Sequence, residues 1–248
     1  MLLKVPLDIV PPEELPDIIN SLLPSMDKTG TVMRNKGRNI VLLSLWDLLR
    51  ARRRGAYRNY VLGAALVLPI SKSIVSGARF MTGRKLARYM PFNFVISLLT
   101  ILERREDTVY LLGGKSSVLR KTEKNINSTF PRLRIVGRFA GAIHKQEEPA
   151  IVEAIRKVSP SLLLAGKGIR GDELWIARNE NSLNSGFRLW CSDLFDVFAE
   201  KKRRPSETIF VNGLESIGYC FRNPLLLFRI FPYIQYKLLL FFHKVFSW

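Results

Sequence analysis

Short apolar runs alternate with segments of helical periodicity along most of this chain of 248 residues. The runs lie near residues 40, 66, 110, 135, 163 and 189, and the residues that bound them are mostly Gly, Pro or polar, as is typical of buried strands. Strands separated by helices favour parallel pairing with right-handed crossovers. The pattern therefore predicts an α/β fold in which a parallel sheet is flanked by helices.

The clearest unit of this pattern lies in the middle of the chain. Residues 108–112 (TVYLL) form an apolar run that ends at Gly113 and Gly114, and Ser117 is expected to cap the helix that follows. One face of that helix carries four residues at intervals of four: Val118, Thr122, Ile126 and Phe130. A glycine turn between strand and helix is where parallel sheets bind phosphate groups, but a simple packing turn has the same pattern. The pattern leaves both interpretations open.

Other segments predict helices with less distinct ends. Residues 45–61 have one continuous helical period, with several arginines clustered towards its end. Residues 71–73 are predicted as a loop, with a helix starting at Arg84. Two acids and a proline at residues 147–149 are favourable in a first turn and predict the start of a further helix.

The charge is strongly basic and unevenly spread. The net charge is +18 and the pI about 10.3, which exceeds what solubility needs and indicates an anionic partner. Between Lys28 and Leu102 the only acid is Asp47, against fourteen Lys or Arg. A solvated basic face is one interpretation of this half. A surface for anionic lipid headgroups or pyrophosphate is the favoured one.

Few residues are available for metal or triad chemistry. The chain has two cysteines, Cys191 and Cys220, and two histidines, His144 and His243, none at a metal-binding spacing. No zinc site and no Ser-His-Asp arrangement is expected from so few residues, and no metal or cofactor is expected. The N-terminus carries charges and prolines where a secretory signal would be apolar, which predicts a cytoplasmic chain or one at the cytoplasmic face of a membrane.

Composition divides the chain into three predicted parts. Residues 1–30 form a proline-rich helical segment, residues 31–205 the α/β domain, and residues 206–248 a basic, apolar appendage. From residue 216 onwards the appendage has no acid, and its two apolar blocks, separated at Pro232, are too short to span a bilayer. Aromatic and basic residues on short apolar helices suit the membrane interface. A C-terminal helix packed on the core is the other interpretation.

With these elements placed, the chain resembles the WecG/TagA/CpsF glycosyltransferases over roughly residues 38–231. The best-matching segments are VYLLGGKSSVLRKTEKNINSTFPRLRIVG (109–137), FAGAI (139–143), EEPAIVEAI (147–155) and SPSLLLAGKG (159–168). Shorter matches are ELWI (173–176), Phe195-Asp196, Arg203-Arg204-Pro205 and Gly213-Leu214-Glu215. The order and spacing of these segments agree with the family.

The resemblance implies a Rossmann-like sheet and an activity. Members of the family transfer a sugar from a UDP-sugar to a lipid-linked (polyprenyl diphosphate) saccharide, with inversion and without a required metal. They work at the inner face of the cell membrane in the synthesis of surface polysaccharides. The implied partners are thus the UDP-sugar, the lipid-linked acceptor and an anionic membrane surface, and a homo-oligomer or a paralogous glycosyltransferase stays open. Nucleic acid is not expected, because the basic half has little aromatic interleaving.

The resemblance also assigns residues. The donor is expected at a set of residues near the strand ends: Ser44, Gly113, Gly114, Gly137, Gly166, Gly168, Glu173 and Trp175. The acceptor pyrophosphate is expected at four arginines: Arg203, Arg204, Arg222 and Arg229.

The sequence departs from the family at the positions expected to carry out catalysis. The family's base is an Asp in a Leu-Pro-Asp-Gly motif, but Ile70 occupies that position, and the family's upstream Asn falls on Ser44. Asp196, Glu173 and Asp172 are candidate substitute bases. Two hypotheses follow: a transferase with a replaced base, or a catalytically inactive member that acts as partner or regulator of an active glycosyltransferase.

Overall fold

The structure, a computed structural model, describes residues 1–23, 38–169, 171–204, 206–213 and 230–246. Within them lies a single six-stranded sheet in the order β2-β1-β6-β5-β3-β4. All pairs of neighbouring strands are parallel. The strands are β1 (Arg38–Leu43), β2 (Leu66–Pro69), β3 (Thr108–Leu112), β4 (Arg134–Phe139), β5 (Leu162–Ala165) and β6 (Phe187–Trp190). The predicted α/β class and parallel sheet are confirmed.

The strands form where the apolar runs predicted them. β3 has the bounds predicted for it, residues 108–112, and Leu111 of β3 and Leu164 of the neighbouring β5 are register partners with no exposed surface. β4 begins at Arg134, where the run near residue 135 predicted a strand, and extends to Phe139 as the outer strand next to β3. Burial on both faces explains the continuous apolar runs, because parallel sheets are covered by helices on each side.

Eleven helices lie within the described residues. They are α1 (Leu15–Leu22), α2 (Leu45–Ala51), α3 (Ala56–Leu62), α4 (Lys72–Thr82), α5 (Pro91–Arg104), α6 (Ser116–Thr129), α7 (Glu148–Val158), α8 (Glu173–Arg178), α9 (Leu194–Phe198), α10 (Glu207–Asn212) and α11 (Ile230–Phe246). Helices α1, α5, α6 and α9 share one apolar core with one face of the sheet. Helices α2, α3, α4, α7, α8 and α11 share the core on the other face.

Three helix predictions were wrong in detail. The predicted helix over residues 45–61 is divided into α2 and α3 at Gly55, whose φ of 151° is outside the helical region. Residues 71–73 are not a loop, since α4 starts at Lys72, and the structure places no helix at residues 84–90. Gly83 ends α4 with φ of 72°. Ser117 lies inside α6, whose N-cap is Lys115 without a side-chain hydrogen bond.

The C-terminal helix α11 packs on α2 and α4. The hydroxyl of Tyr236 donates to the carbonyl of Ser73 at 3.1 Å, and Tyr236 is packed so closely on Gly77 that a side chain there would overlap its ring. Residues 214–229, which include Arg222, Arg229 and much of the first apolar block of the tail, lie outside the described residues. No described helix combines the length and the apolar character needed to cross a bilayer.

Candidate functional site

A cavity of about 730 Å³ opens at the carboxyl ends of β1, β2 and β6. Its lining includes the residues that directly follow these strands, Ser44, Ile70 and Cys191. Helix α2 leaves β1 towards one face of the sheet and α9 leaves the neighbouring β6 towards the other. Crevices of this kind, where successive crossovers diverge, are the usual ligand sites of parallel sheets. We call it the strand-end cavity.

One wall of the strand-end cavity is the first turn of α2. Ser44 and Asp47 form a reciprocal capping box, in which each side chain accepts a hydrogen bond from the other residue's backbone N–H. The hydroxyl of Ser44 also donates to Asp47 Oδ2. The backbone N–H of Leu45 donates to Ser71 Oγ at 3.0 Å, which ties this turn to the segment after β2. The resulting wall is polar, and it is held in place by the segments that follow β1 and β2.

An ion pair lies beside this turn. Arg50 Nη1 lies 2.5 Å from Glu173 Oε1, and the guanidinium sits over the ring of Tyr57 at 4.1 Å. Burial raises the pKa of the Glu173 carboxyl, and Arg50 opposes that shift. The pKa of the Tyr57 hydroxyl is raised as well. Burial is the main cause, and the nearby negative charge of Asp47 is the second. Both groups therefore favour their neutral forms more than exposed groups would.

Basic side chains form another part of the lining. They are Lys72, Arg88, Lys202, Arg203, Arg204 and Lys237. Arg88 Nε donates to the carbonyl of Ile70 at 2.8 Å, and its guanidinium stacks on Phe210 of α10 at 3.7 Å. Lys72 Nζ donates to the carbonyl of Asn212 at 3.0 Å. These contacts dock α10 against the end of β2 and give the cavity a surface suited to phosphate groups.

The candidate bases lie in different surroundings. Glu173 lines the cavity, but Asp172 is exposed at the start of α8 and Asp196 pairs with Lys167. Asp193, which the sequence had not singled out, lines the cavity within 2.5 Å of Lys202 Nζ. The Arg204 guanidinium, which also lines the cavity, lies over the ring of Phe92 at 5.8 Å.

The predicted donor glycines lie at the same edge of the sheet but pack on one another. The turns after β3 (Gly113-Gly114) and after β5 (Gly166–Gly168), which we call the glycine turns, are joined by a hydrogen bond from Gly114 N to Lys167 O at 2.7 Å. A Cβ on Gly113 would lie 2.7 Å from the carbonyl oxygen of Gly166. None of these glycines lines the strand-end cavity. Their predicted role in donor binding stays a prediction.

The other predicted residues divide between the cavity and the core. Ser44, Glu173, Arg203 and Arg204 line the cavity together with Ile70. Gly137 lies within β4 against the ring of Tyr110, and Trp175 is buried in α8, so neither lines it. The described residues hold no group of three or more His, Cys, Asp or Glu that could bind a metal ion.

Sequence reasoning missed several cavity residues, chiefly Asp47, Tyr57, Lys72 and Arg88. A signal existed for Asp47, which is the one acid in a long basic stretch. Arg88 and Lys72 had no comparable signal, because arginines and lysines are frequent throughout that stretch.

Comparison with known proteins relates the chain to a family of glycosyltransferases. The model of the glycosyl transferase WecG/TagA/CpsF family matches residues 2–248. The chain belongs to this family. It is also similar to the N-acetylglucosaminyldiphosphoundecaprenol N-acetyl-beta-D-mannosaminyltransferase of Bacillus subtilis (strain 168), with 23% identity over 157 residues. That alignment covers 63% of the chain and 60% of the relative, so it spans less than two thirds of either. The sequence-based resemblance to the WecG/TagA/CpsF family is confirmed.

Proposed function

We propose that the protein transfers a sugar from a UDP-sugar to a lipid-linked saccharide in the synthesis of a surface glycopolymer. The observation that carries the proposal is the strand-end cavity, which combines a fixed polar wall at Ser44 and Asp47 with several basic side chains. Family membership supports glycosyl transfer, and the name of the Bacillus relative supports a diphosphate-linked lipid acceptor and an N-acetylhexosamine donor.

The chemistry of such a transfer matches the charges of the cavity. The departing UDP develops negative charge on its diphosphate, and fixed cations close to it lower the barrier. Arg88 is held in place by the carbonyl of Ile70 and the ring of Phe210, so it is preorganised for an anionic ligand. Arg203 and Arg204 line the same cavity and can bind the pyrophosphate of the acceptor. No step of this proposal uses a metal.

Membrane association is the second part of the proposal. One side of α11 presents several large apolar residues to solvent: Phe231, Ile234, Leu238, Phe241, Phe242, Val245 and Phe246. The opposite side is fixed to α4 by Tyr236, and Lys244 donates to the carbonyl of Phe80. A helix held in this way can enter the headgroup region of an anionic bilayer without leaving the protein. Bound there, the cavity would lie near a lipid-linked acceptor.

A non-catalytic role is the alternative, and one observation favours it. Ile70 lines the cavity at the position where the resemblance places the base, and isoleucine cannot accept a proton. Under this alternative the protein binds ligands in the cavity but transfers no sugar, and it assists an active glycosyltransferase.

Nucleotide binding tests the proposal first. We expect calorimetry on detergent-purified protein to show saturable binding of UDP, with weaker binding of UMP and GDP. A concentration of UDP about 100-fold above its dissociation constant should raise the free energy of unfolding by about 2.7 kcal/mol. Binding of UDP without transfer from any UDP-N-acetylhexosamine would support the non-catalytic alternative. Absence of binding for all three nucleotides would contradict the transferase.

Co-sedimentation tests the membrane surface separately. The protein is expected to sediment with vesicles containing phosphatidylglycerol and to remain in solution with purely zwitterionic vesicles. Exchange of the exposed Phe241 and Phe242 for Ser should release it, because both rings lie on the exposed side of α11. Equal sedimentation of the double variant would show that α11 is not the membrane surface.

A further inference from the structure

Three acids of the described residues line the strand-end cavity, and two of them are neutralised by cations. Glu173 is paired with Arg50 at 2.5 Å. Asp193 is paired with Lys202 at 2.5 Å, with Lys167 a further neighbour at 3.7 Å. The remaining acid is Asp47, and no Lys or Arg of the described residues forms an ion pair with it. A carboxylate without a bound cation keeps its lone pairs available for a proton.

The hydrogen bonds of Asp47 leave one oxygen open. Oδ2 accepts from the backbone N–H of Ser44 at 3.1 Å and from the Ser44 hydroxyl. Across the described parts of the chain, no group donates to Oδ1. One oxygen is therefore used to orient the carboxylate, while the other remains free to accept a proton in a cavity that Asp47 lines.

The register of the sheet places Ser44, the hydrogen-bond partner of this carboxylate, next to the residue that replaces the expected base. Leu43 of β1 and Pro69 of β2 are register partners, so Ser44 and Ile70 directly follow them on neighbouring strands. The bond from Leu45 N to Ser71 Oγ fixes the two segments together. The hydroxyl of Ser44, hydrogen-bonded to Asp47, thus stands beside Ile70 in the same lining.

We propose that Asp47 is the general base of the transfer, in place of the acid that Ile70 has replaced. This assignment rests on the proposed function. Oδ1 of Asp47 takes the proton of the acceptor hydroxyl, and the hydroxyl oxygen forms a bond to the anomeric carbon of the donor. The bond from that carbon to UDP breaks, its electron pair leaves on the phosphate, and Asp47 later releases the proton to water.

The surroundings of Asp47 include charges from several elements. Arg50 lies one turn further along α2, and Lys72 of α4 and Lys237 of α11 line the same cavity. The charge of Asp47 contributes to raising the pKa of Tyr57 on α3 and of Glu173 on α8, so the three groups interact. A pH profile of the enzyme therefore reports on this cluster and needs a variant for its assignment.

The test compares Asp47→Asn with the native chain. Asn retains an oxygen to accept from Ser44 but cannot take a proton, so kcat should fall about 10²–10⁴-fold, with UDP affinity unchanged. Assays use UDP-N-acetylmannosamine and a synthetic N-acetylglucosamine diphosphate lipid. The decline of kcat in acid, expected for the native chain, should disappear in the variant. Asp17→Asn is the matched control, because Asp17 is an exposed acid in the first turn of α1 outside the cavity.

Two further variants complete the test. Ile70→Asp, added to Asp47→Asn, should restore part of the lost turnover and the decline in acid. If Asp47→Asn fails to fold or to bind UDP, Asp47→Glu replaces it, and we expect at least a tenfold lower kcat with the acid decline retained.

The outcomes separate this assignment from the proposed function. Transfer by the native chain together with equal transfer by Asp47→Asn, or unchanged kcat in Asp47→Glu, overturns the assignment and leaves the transferase intact. Absence of transfer by a native chain that binds UDP overturns the transferase, and the base with it.

Discussion

The carboxyl edge of the sheet contains two regions that contrast in sequence and in structure. The glycine turns after β3 and β5 have the stronger sequence pattern, but their main chains approach so closely that Gly114 N bonds to Lys167 O at 2.7 Å. The strand ends of β1, β2 and β6 have no glycine pattern, and they surround a cavity of about 730 Å³. In the glycine turns, the glycines allow two main chains to pack closely. The space for a ligand lies instead at the ends of β1, β2 and β6, where side chains separate the main chains.

The contrast also concerns what each region contributes to stability. The glycine turns are filled by backbone, so any added atom meets the opposite turn. The strand-end cavity is lined by polar and charged groups, several of them partly buried, that a stable core does not need. Functional sites commonly reduce stability in this way. We therefore expect substitutions in the two regions to change stability in opposite directions.

The largest expected effect is at the glycine turns. Gly113→Ala should lower the free energy of unfolding by about 3 kcal/mol, because φ is 99° and the new Cβ would lie 2.7 Å from Gly166 O. Urea denaturation followed by circular dichroism measures the loss. The UDP affinity of the folded variant tests the predicted role of Gly113 in donor binding separately.

Gly141→Ala is the matched control for this prediction. Its φ is 101°, but no atom lies within 4 Å of the added Cβ. Only the backbone cost of about 1 kcal/mol is then expected. Equal losses of stability in Gly113→Ala and Gly141→Ala would contradict the close packing of the glycine turns. A loss of UDP binding in Gly113→Ala alone would support the predicted role of Gly113 in donor binding.

A smaller effect of opposite sign is expected in the strand-end cavity. Burial raises the pKa of Glu173 above its unfolded value, so its contribution to stability is present below about pH 4 and is lost as the pH rises through the folded pKa. Glu173→Gln removes this buried charge. At pH 7 the variant should be more stable by about 1 kcal/mol or less, and the difference should vanish near pH 4.

The partner of Glu173 limits the size of this gain. The Arg50 side chain is 47% exposed and stays hydrated when the pair is lost, while Glu173 is 11% exposed. Urea denaturation between pH 4 and pH 7 measures the difference. Glu153→Gln is the control, because its exposed carboxyl is paired with Arg156, which lowers its pKa, and removing it should reduce stability slightly at pH 7. A less stable Glu173→Gln at pH 7 would mean that the ion pair outweighs the burial.

Much of the fold could be predicted from the sequence because burial on both faces of a parallel sheet leaves a direct signal. The inner strands β3 and β5 are short apolar runs with four buried residues each, and β3 has the predicted bounds. The helix ends were less predictable, since α2 ends at Ala51 and α3 begins after Gly55 although the helical period over residues 45–61 is continuous. A break in the helical backbone does not change the spacing of apolar residues along the sequence, so the spacing cannot reveal where a helix ends.

The sequence predicted residues of the candidate site only at positions that the family resemblance assigns. Ser44, Glu173, Arg203 and Arg204 were named from the resemblance and line the cavity. Lys72 and Lys237 are brought there by α4 and α11, which are distant in the chain, and no local spacing indicates that meeting. Asp47 was visible as a lone acid, but its orientation by Ser44 depends on the turn after β1.

The position of α11 has a consequence for the timing of assembly. Tyr233 and Lys237 of this helix line the cavity, whereas the last strand ends at Trp190, 40 residues before α11 begins at Ile230. At a synthesis rate of about 5–20 residues per second, those residues take about 2–8 s to add. During that interval a growing chain has all six strands but lacks one wall of its cavity. The wall that α11 contributes to the cavity is therefore added after the sheet, when this helix packs on α2 and α4.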